Sequence, residues 1–593
     1  MRKIILNVIV LLVFLPVFAS AANYYVSTSG SDTNAGTQVL QFRTMQRCAD
    51  LMVAGDTCYV SPGTYNERVT PANSGSAGNL IAFKSSVSHE AIVAGFYLSG
   101  KQYIRIDGFY ITYLSSSSSG EAIYLASAHG SEILNNVIYR NSGLGIQLHS
   151  GNPSNDVTIR GNTISYPDGV IGNAVGDAAI VSNGDRVLIE GNDISHVGDF
   201  TNIWGRNVVV RNNLFHDCYM TDYPEYFNQA GHDPTGHHID AVEYFSDSYH
   251  PTPLHFLLFE NNTVRDALMA NVHGGIYRNM LGNPGDSDVI YRFNTFYKLG
   301  SFMIQIYPFN QLRAVHNTAI ETSSSVDGYR AMYTIEVDTT SSDIKIINNI
   351  FYNATRQTSS ASPYMVDSTV QRFFGDYNLL SPMGQFLPSE AHGRVVASQL
   401  FSNLASGSDF SLQSSSPAID SGGPLTRVAA ADTGSGTSLI VEDARFFQDG
   451  WGMENRGVHA DWIAVGSASN VVEIASINYD TNTITLANSI NRNDGDPVYI
   501  YSNSNGIRVL YGNAPDIGAY EYVSSSSPPI TPPEPVLGDL NGDTKVDIAD
   551  LSTIGTNFGR KSGDAGWNSA YDVAANGVVD IADLVFVARR YTG

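Results

Sequence analysis

The chain has 593 residues, of which 43% are apolar and 15% are charged. This length predicts more than one domain, and the apolar share excludes a wholly disordered or collagen-like chain. Aspartate and glutamate outnumber lysine and arginine by 57 to 33, so the formal net charge is −24. Because so acidic a surface repels nucleic acids and anionic membranes, we expect no nucleic-acid partner.

The first 21 residues have the pattern of a secretory signal peptide. Arg2 and Lys3 give a positive start, residues 4–18 are apolar, and the small residues 19–21 form a cleavage site. A membrane anchor is the alternative, but the apolar run is short for crossing a bilayer. No later stretch of the sequence is long and apolar enough to do so. The pattern therefore predicts a secreted, extracellular protein with no membrane span.

The three cysteines, Cys48, Cys58 and Cys218, are too few for a disulfide framework. Cys48 falls in a predicted helix and Cys58 in the strand that follows it. A disulfide between these two residues and a pair of separate buried thiols both fit the sequence. For Cys218 the sequence indicates no partner and no chemistry.

A short phrase repeats along the body of the chain: an alternating apolar strand, an asparagine at a turn, and a second short strand. A repeat of this length built from strands predicts one coil of a solenoid per phrase, since a propeller blade needs about 40 residues. We expect the asparagines to adopt the left-handed backbone of a corner and their amides to bond from coil to coil. The aligned residues are Asn136, Asn162, Asn192, Asn213, Asn262, Asn294, Asn317, Asn349 and Asn378.

These repeats follow an opening with YYVSTSGSDTNAGTQ at residues 24–38 and GDTCYVSPGTYNERV at residues 55–69. Together they resemble the right-handed parallel β-helix family of secreted polysaccharide-active proteins, which includes pectate-lyase-like and alginate-lyase-like enzymes. The resemblance covers about residues 23–522. It implies an all-β right-handed parallel β-helix solenoid, and it leaves the reaction open because one fold hosts many chemistries.

Two segments near the C terminus have the ligand spacing of calcium-binding loops. Calcium takes six to eight oxygen ligands, which side chains at loop positions 1, 3, 5, 9 and 12 and a carbonyl at position 7 supply. Ala574 replaces one ligand of the second loop, so we expect that loop to bind more weakly. The predicted ligands are Asp539, Asn541, Asp543, Lys545 (carbonyl), Asp547 and Asp550 in the first loop and Asp572, Asn576, Val578 (carbonyl), Asp580 and Asp583 in the second.

Each loop leads into a predicted amphipathic helix. The duplicated unit resembles a type I dockerin, a small α-helical calcium-binding domain that attaches enzymes to cohesin-bearing scaffold or cell-surface proteins. The resemblance therefore implies Ca²⁺ as a cofactor and a cohesin as a partner. Thr544 stands where the first loop usually has a glycine, and residues 548–549 and 581–582 are Ile-Ala where cohesin-binding dockerins commonly have a hydroxyl pair. These departures leave the identity of the cohesin open.

The composition along the chain predicts five regions. They are a signal peptide (1–21), a β-helix with an N-terminal cap (22–408), a C-terminal cap with an inserted small β module (409–523), a Ser/Pro linker (524–537) and a dockerin (538–593). The module separates residues 409–422 from residues 514–522, which resemble the closing coil of such proteins. We expect the module to cover the last coil; sugar binding through Trp451 or Trp462 is the alternative.

Strand alternation predicts which side chains leave the solenoid interior, and strands of successive coils stack about 4.8 Å apart. In residues 237–244, for example, Ile239 and Ala241 fit the interior and Asp240 points outward. Such outward side chains would line one groove suited to an extended polysaccharide, although a shift of one residue would reverse every assignment. The predicted set is Gln147, His149, Trp204, His238, Asp240, Asn271, His273, Gln305, Tyr307, Glu336 and Asp338.

The segment between Asn213 and Asn262 is longer than a normal coil and concentrates histidine, aspartate and tyrosine. Long loops on a rigid scaffold commonly carry function, although any one of these side chains can instead cap a turn. Two carboxyl groups in unlike environments can act as acid and base in glycoside cleavage. The predicted catalytic residues are Asp240, His238, His273 and Glu336, and the predicted substrate-binding residues are Trp204, Asn271, Gln305, Tyr307 and Asp338.

The reaction depends on which basic residues lie near the groove. Elimination from a uronate needs a base, often lysine or arginine in these folds, and Lys298 is the one lysine expected there, with Arg211, Arg265 and Arg292 also near. This scarcity favours a glycoside hydrolase acting on an extracellular polysaccharide. A polysaccharide lyase and a non-catalytic, glycan-binding or adhesive solenoid remain alternatives. A further Ca²⁺ in the groove stays open, because it would reverse the local charge.

Overall fold

A computed structural model describes residues 21–112, 114, 120–139, 144–166, 178–219, 239–243, 254–268, 272–277, 287–299, 303–306, 309–322, 334–337, 341–354, 361–404, 407, 409–523, 548–561, 571 and 578–588. The predicted signal peptide, apart from Ala21, and the Ser/Pro linker lie outside these residues. The chain divides into two compact units, residues 1–522 and 523–593.

The first unit is a parallel β-helix whose coils each add strands to three parallel sheets. The first sheet holds the later part of β3 (Gly63–Val69), the later part of β5 (Ala91–Ser99), β8 (Ile123–Ala126), β11 (Ile146–Leu148), β14 (Ala178–Asp185), the start of β17 (Asp199–Arg211), β19 (Ile239–Glu243), β22 (Val272–Tyr277), β25 (Ile304–Ile306), β28 (Ile335–Val337) and β31 (Tyr364–Val366).

The other two sheets follow in each coil. The second sheet holds β1 (Asn23–Val26), β2 (Thr57–Val60), β4 (Ile81–Ser85), β6 (Ile104–Asp107), β9 (Glu132–Leu134), β12 (Thr158–Arg160), β15 (Leu188–Glu190), the end of β17, β20 (His255–Glu260), β23 (Ser287–Arg292), β26 (Asn310–Val315), β29 (Ser342–Ile347) and β32 (Gln371–Asp376). The third sheet holds the starts of β3 and β5, β7 (Tyr110–Thr112), β10 (Val137–Tyr139), β13 (Thr163–Ser165), β16 (Asp193–Ser195), β18 (Leu214–Tyr219), β21 (Thr263–Leu268), β24 (Thr295–Leu299), β27 (Thr318–Ile320), β30 (Ile350–Tyr352), β33 (Leu379–Ser381) and β34 (Arg394–Val395).

Stacks of apolar side chains fill the interior of the solenoid. In the second sheet, for example, the parallel register aligns Ile106, Ile133, Ile159 and Ile189, and all four are fully buried. β-Branched side chains suit these positions because they pack well on a pleated surface. The core therefore runs along the axis of the solenoid, and every coil buries its apolar residues against the coils on either side.

The aligned asparagines form a hydrogen-bonded ladder at the corner between the second and third sheets, as the sequence predicts. All nine are buried. At each step the main-chain N–H and the side-chain Nδ2 of one asparagine donate to Oδ1 of the next, over distances of 2.8–3.1 Å. Each Nδ2 also donates to a strand carbonyl, as Asn162 does to Ile133 at 3.0 Å. The ladder thus satisfies buried amides that would otherwise destabilise the fold.

The left-handed backbone at this corner lies one residue earlier than we expected. The residue before each aligned asparagine has a positive φ, for example 53° at Asn135, 67° at Gly161 and 52° at His316. The aligned asparagines themselves are outside that region. The expectation of left-handed asparagines is therefore wrong: the preceding residue makes the turn, and the asparagine contributes its amide.

The last step of the ladder ends on a carboxylate. Asn378 donates to Glu390 from its main-chain N (3.1 Å) and its Nδ2 (2.9 Å), and the Tyr364 hydroxyl donates at 2.7 Å. Burial raises the pKa of Glu390 from its usual 4.5 to about 7. Nearby, Phe386 packs on the core of the last coil. Residues 386–390 thus cover the end of the solenoid.

The N-terminal end is covered by helix α1 (Met45–Leu51), whose first turn is capped by the Thr44 side chain accepting from the Arg47 N–H at 3.2 Å. Met45, Cys48 and Ala49 bury against the first coils. Cys48 and Cys58 form a disulfide, which decides between the two arrangements that the sequence left open. Cys218 is buried and does not belong to this disulfide.

The inserted module is an antiparallel sheet with strand order β35-β40-β37-β38-β39-β36. Its strands are β35 (Thr426–Arg427), β36 (Gly434–Ile440), β37 (Trp462–Val465), β38 (Val471–Asn478), β39 (Thr483–Arg492) and β40 (Pro497–Ser502). Its core merges with Phe293, Val315 and Ile347 on the outer face of the second sheet. The module therefore lies along the side of the solenoid, where we had expected it to cover the last coil.

The two segments that flank the module come together, as the resemblance implied. Gly422 donates its N–H to the Pro515 carbonyl at 2.8 Å, and Ile517 donates to Ala418 at 3.0 Å. Phe410 of this region packs against Tyr297 on the outer face of the third sheet, with ring centroids 5.1 Å apart. The C-terminal segments thus cover parts of both the second and the third sheet.

The second unit contains helix α2 (Ile548–Asn557) and helix α3 (Ile581–Ala588). Ile554, Val579 and Val587 form its buried cluster. The main chain links the two repeats, because Gly559 donates to Val579 at 2.7 Å and Val579 donates to Arg560 at 2.9 Å. Phe558, directly after α2, is exposed.

Candidate functional site

One line of outward positions runs along the first sheet. The parallel register aligns one such residue from each of the strands β5, β8, β11, β14, β17 and β19, and a separate register aligns one from each of β25, β28 and β31, which hydrogen-bond to one another in later coils. On either side of Gln147, Ile146 and Leu148 are fully buried in the core, so the series faces away from it. We call this series the outer row; its members are Tyr97, Tyr124, Gln147, Val181, Asn202, Glu243, Gln305, Glu336 and Met365.

Burial varies along the outer row. Tyr97 and Met365, at its two ends, are 37% and 40% exposed, and Tyr124, Gln147 and Glu336 are half-buried. The central side chains are buried: Val181, Asn202, Glu243 and Gln305. The row therefore offers its most accessible surface at the tyrosine end and around Glu336.

The tyrosine end is a flat aromatic surface. The rings of Tyr97 and Tyr124 stack with centroids 4.8 Å apart and planes 5° apart. The Arg68 guanidinium lies 5.4 Å from the Tyr97 centroid and pairs with Glu121 at 3.1 Å, and His149 meets Tyr124 edge-on at 5.7 Å. Burial and the neighbouring Tyr97 and Glu121 raise the pKa of Tyr124. Neither tyrosine was predicted from the sequence, although the phrases FYL and IYL show a tyrosine between two core residues.

Asp240 does not offer an exposed carboxyl group to the groove. Its side chain is fully buried. Burial and the charge of Asp240 raise the pKa of Tyr291, whose ring stacks on Phe259 in the solenoid interior, with centroids 4.7 Å apart. The pairing of β19 with β22 shifts register between Asp240 and Val242, so strict alternation fails at this point. Glu243, at the end of the same strand, occupies the outward position.

Glu336 and Gln305 form the polar pair of the outer row. The Gln305 Nε2 donates to Glu336 Oε2 at 3.0 Å across adjacent strands. Alternation predicted both side chains to point outward, and their neighbours Ile304, Ile306, Ile335 and Val337 are all in the core. An amide that donates to a carboxylate holds it in one orientation.

Trp204 lies on the outward side of the first sheet but is buried. It packs with Ala178, Val181 and Leu144 and is 3% exposed. Asn183, opposite Trp204 in the register, donates from Nδ2 to the carbonyl of His149 at 3.4 Å. The indole ring thus fills a small apolar cluster, and the described structure does not present it as a surface for a sugar.

The remaining predictions for the groove fall outside the described structure. Its ranges do not include His238, Asn271, Tyr307 or Asp338. The backbone of His273 pairs with Asp240 on the neighbouring strand, and its side chain is not described. The roles predicted for these five residues stay predictions.

The basic residues expected near the groove lie on other sheets. Lys298 is on β24 of the third sheet, with its Nζ 4.7 Å from the Tyr297 ring centroid, and Arg265 is on β21 of the same sheet. Arg211 and Arg292 are on the second sheet, where both are buried under the module. Within the described outer row no position holds a lysine or arginine, and Arg68 at the tyrosine end is the nearby cation.

The tail shows part of the predicted calcium loops. Asp550 and Asp583 are buried in the first turns of α2 and α3, where a carboxylate also suits the positive end of the helix dipole. Asp583 Oδ2 accepts from the Asp580 N–H at 2.7 Å, and Val578 pairs with Lys561 in a short bridge. The other predicted ligands lie outside the described residues: Asp539, Asn541, Asp543, Lys545, Asp547, Asp572 and Asn576.

Two absences concern only the described ranges. There, no three His, Cys, Asp or Glu side chains are grouped so that they could hold a metal ion. Nor does any helix in those ranges have the length and apolar character needed to cross a membrane.

Family comparisons match both parts of the chain. The right-handed β-helix region family matches residues 73–169 and 94–232, and the dockerin type I domain family matches residues 537–591. The chain therefore contains a right-handed parallel β-helix and a type I dockerin domain. Type I dockerins bind Ca²⁺, and a dockerin implies a cohesin partner.

Individual relatives are more distant. YwoF, an uncharacterised Bacillus subtilis protein, is 32% identical over 106 residues, which cover 16% of this chain and 23% of that protein. Pectate lyase Pel9A is 12% identical with a TM-score of 0.42 and covers 70% of this chain and 94% of its own. A lacto-N-biosidase from Eubacterium ramulus is 11% identical with a TM-score of 0.39 (63% and 68% covered). PfbA, a surface adhesin of Streptococcus pneumoniae, is 12% identical with a TM-score of 0.36 (55% and 86% covered). No reaction is assigned from these likenesses.

Proposed function

We propose that the protein is a secreted carbohydrate-active enzyme that binds a polysaccharide along the outer row, hydrolyses its glycosidic bonds, and is held on a cohesin-bearing scaffold by its dockerin. The observation that carries this proposal is the outer row itself. It combines a partly exposed tyrosine stack with two carboxyl side chains, the buried Glu243 and the half-buried Glu336, on one face of a rigid solenoid.

The row has the shape that an extended polymer needs. Successive strands add one side chain about every 4.8 Å, so the row presents a linear series of contacts. The flat Tyr97 and Tyr124 rings suit the apolar face of a sugar ring. Arg68 and Gln147 beside them supply hydrogen-bond donors for hydroxyl groups. This end of the row would hold sugar units on one side of the bond that is cleaved.

Glu336 is the carboxyl group that we propose for catalysis. It is half-buried on the row, and Gln305 fixes its orientation. Glu243 lies three strands away, or about 14 Å at 4.8 Å per strand, whereas acid and base carboxyl groups of glycosidases lie about 5–9.5 Å apart. Glu243 and Glu336 therefore do not form one catalytic pair. Glu336 needs a closer partner, for which Asp338 and His273 remain our predicted candidates.

The chemistry of this pair would follow that of other glycosidases. One group protonates the oxygen that leaves with the departing sugar, and the other either activates water or attacks the anomeric carbon. The absence of lysine and arginine from the described outer row favours hydrolysis over elimination, since elimination needs a base together with a cation for the uronate carboxylate.

Incubation of the mature protein with a panel of neutral and acidic polysaccharides tests the reaction. New reducing ends without new ultraviolet absorbance are the expected result. New absorbance typical of unsaturated uronates would show a lyase, and retention of a polysaccharide without products would show a binding protein. Either of those two outcomes would overturn the hydrolase proposal.

The variant Glu336→Gln tests the proposed catalytic residue. We expect turnover to fall by at least about 100-fold, because an amide cannot exchange the proton. Binding of the same polysaccharide should remain. Glu90→Gln is the matched control, since it removes a negative charge from an exposed residue before β5. Equal turnover in both variants would remove Glu336 from the catalytic site.

Removal of calcium tests the attachment. We expect a chelator to abolish binding of the full chain to a type I cohesin and to lower its helical circular dichroism, because metal binding and folding are coupled in such loops. Polysaccharide binding by the solenoid should not change, since no described outer-row residue belongs to a calcium loop. Cohesin binding that persists without calcium would contradict the assignment.

A further inference from the structure

A cleft of about 510 Å³ lies between the inserted module and the last coils of the second sheet. Both of its walls belong to the same compact unit. One wall is formed by β29 and β32, and the other by β35 with the residues before it and by Glu442, which follows β36. The cleft faces away from the outer row, so it is separate from the site proposed for catalysis. The residues that matter for its chemistry are Asp343, Lys345, Arg372, Phe374, Arg427 and Glu442.

The floor of the cleft carries an exposed aromatic ring. Phe374 is 48% exposed and lies opposite Lys345 in the register of β29 and β32. β32 is the last strand of the second sheet in the described chain, so no further coil covers this ring. A phenylalanine that stays exposed in a cleft, where most large apolar side chains of the solenoid are buried, offers an apolar platform for a ligand.

A second ring is fixed beside it. The His392 ring stacks on Tyr377 with centroids 4.3 Å apart and planes 10° apart, and its Nδ1 lies 2.8 Å from Asp376 Oδ2. The main-chain N–H of His392 also donates to Asp376 Oδ1 at 2.6 Å. With Nδ1 bound to the carboxylate, Nε2 is left to contact a ligand hydroxyl. The cleft thus has two ring surfaces and an oriented polar atom.

Some charged side chains of the cleft form ion pairs and others do not. Lys345 pairs with Asp443 at 2.5 Å, and Asp343 pairs with Arg313 at 2.9 Å. Arg427 donates to a neutral group, the carbonyl of Gly495, at 3.0 Å. Neither Arg372 nor Arg427 forms an ion pair with any residue in the described ranges. Two guanidinium groups without an ion pair therefore line the cleft, together with the carboxylates of Glu442 and of Asp376, the latter bonded to His392.

From these observations we propose that the cleft is an accessory binding site for an acidic sugar, a hexuronate unit of a polysaccharide. The sugar ring packs on Phe374, and its carboxylate binds the Arg372 and Arg427 guanidinium groups, which suit the planar geometry of a carboxylate. His392 Nε2 and Glu442 contact hydroxyl groups. The module thus completes a binding site together with the solenoid, and the site does not depend on catalysis at the outer row.

Calorimetric titration of the full, calcium-loaded chain tests the proposal. The probes are trisaccharides of galacturonic and glucuronic acid, with the corresponding trisaccharides of galactose and glucose as neutral counterparts. The double variant Tyr97→Ala/Tyr124→Ala serves as the background, so that binding at the outer row does not obscure the result. We expect at least one acidic probe to bind at least about tenfold more tightly than its neutral counterpart, and added salt to weaken it.

Single variants in that background locate the site. Arg372→Gln and Phe374→Ala should each weaken binding of the acidic probe by about tenfold, and Arg372→Lys should restore part of it. Arg105→Gln, which removes a partly exposed guanidinium from the same sheet far from the cleft, is the matched control and should have no effect. Because Arg372 and Phe374 are exposed, neither change should alter thermal unfolding.

Three results would overturn the proposal. They are the absence of binding by all acidic probes, equal affinity for acidic and neutral probes, and unchanged affinity in Arg372→Gln. Loss of acidic-sugar binding on mutation of Tyr97 and Tyr124 alone would place the ligand on the outer row and would likewise overturn it. Turnover that depends on Glu336 is measured separately. Failure of the proposed accessory site can therefore be distinguished from failure of the proposed hydrolase activity.

Discussion

The outer faces of the first and second sheets both carry polar side chains, but the two faces use them differently. On the second sheet, Arg211, Arg292 and Arg313 are buried, and all three bond to groups of the inserted module. On the first sheet, the tyrosine end of the outer row and Glu336 remain partly exposed. Alternation alone makes these residues equivalent, since all of them point away from the core. Their burial and their partners show which face docks another part of the chain and which is open to a ligand.

The centre of the docked face is a fully buried ion network. Arg292 Nε donates to Glu260 Oε1 at 2.6 Å, and its Nη1 and Nη2 each donate to Asp461 at 2.7 Å. Glu260 belongs to the neighbouring strand, whereas Asp461 belongs to the module. The network therefore joins two regions that are 169 positions apart in the chain.

The largest effect should come from breaking this network. Arg292→Ala leaves two buried carboxylates without their guanidinium, so we expect the free energy of unfolding to fall by about 3–5 kcal/mol. Chemical denaturation, monitored by tryptophan fluorescence, measures this free energy of unfolding, because Trp451 is buried where the module meets Phe256.

Arg105→Ala is the matched control on the same sheet. Arg105 pairs with Glu132 at 2.6 Å, but the two side chains are 41% and 28% exposed. Solvent screens such a pair, and its loss should cost less than about 1 kcal/mol. Similar losses of stability in the two variants would mean that the module does not seal the second sheet as the structure shows.

A pH dependence follows from the buried carboxyl at the end of the asparagine ladder. The pKa of Glu390 is about 7 in the folded chain and 4.5 for an ordinary glutamate, so the folded state holds the proton more tightly. The contribution of Glu390 to stability is therefore complete below its unfolded pKa and is lost as the pH rises through the folded value. We expect the free energy of unfolding to fall by about 1–3 kcal/mol between about pH 5 and about pH 8.

Glu390→Gln separates this group from all others that titrate. The amide resembles the protonated acid, so this variant should lack the part of the slope that Glu390 contributes. Glu90→Gln, at an exposed position, should keep the full slope. If the two variants show the same pH profile of unfolding, another group causes the dependence.

The open face should give the smallest change in stability and a clear change in binding. Tyr97→Ala and Tyr124→Ala each remove one ring of the stack, and we expect each to weaken polysaccharide binding by about tenfold. Affinity electrophoresis in gels that contain the polysaccharide measures this effect. The free energy of unfolding should change by less than about 1 kcal/mol, because Tyr97 is partly exposed.

Tyr139→Ala is the control for this pair. Tyr139 and Tyr110 form a similar aromatic pair on the outer face of the third sheet, with centroids 6.2 Å apart. Loss of that ring should leave the polysaccharide affinity unchanged. An equal loss of affinity in Tyr139→Ala would show that the outer row has no special role in binding.

The parts of the fold that could be predicted are those in which each repeat contains its own signal. The nine asparagines were identified from the sequence because each coil contains the same tight corner with buried amides. Gln305 and Glu336 were placed outward correctly because their strands, β25 and β28, pair without irregularity. The left-handed residue was misplaced by one position, since the sequence shows which residue recurs but not which φ it adopts.

The errors in the site have specific physical causes. Asp240 was predicted to be an accessible groove residue, but it is fully buried, and the pairing of β19 with β22 becomes irregular directly after it. Trp204 was predicted to contact sugar, but Ala178 and Val181 of the neighbouring strand cover it. Tyr97 and Tyr124 were not predicted because the predicted groove began at Gln147, after both of their strands. The sequence pattern contained the tyrosines and did not reveal that they stack.

By itself, the sequence determined the solenoid, its repeated amide ladder and the dockerin, because these depend on spacings within one coil or one loop. Tertiary structure alone decided which outer face is open and which is closed. That outcome depends on contacts between distant segments, such as Arg211 with Ser504 across 293 positions and Arg292 with Asp461. No local pattern encodes these contacts, because burial of an outward side chain is a property of the segment that packs on it and not of its own strand.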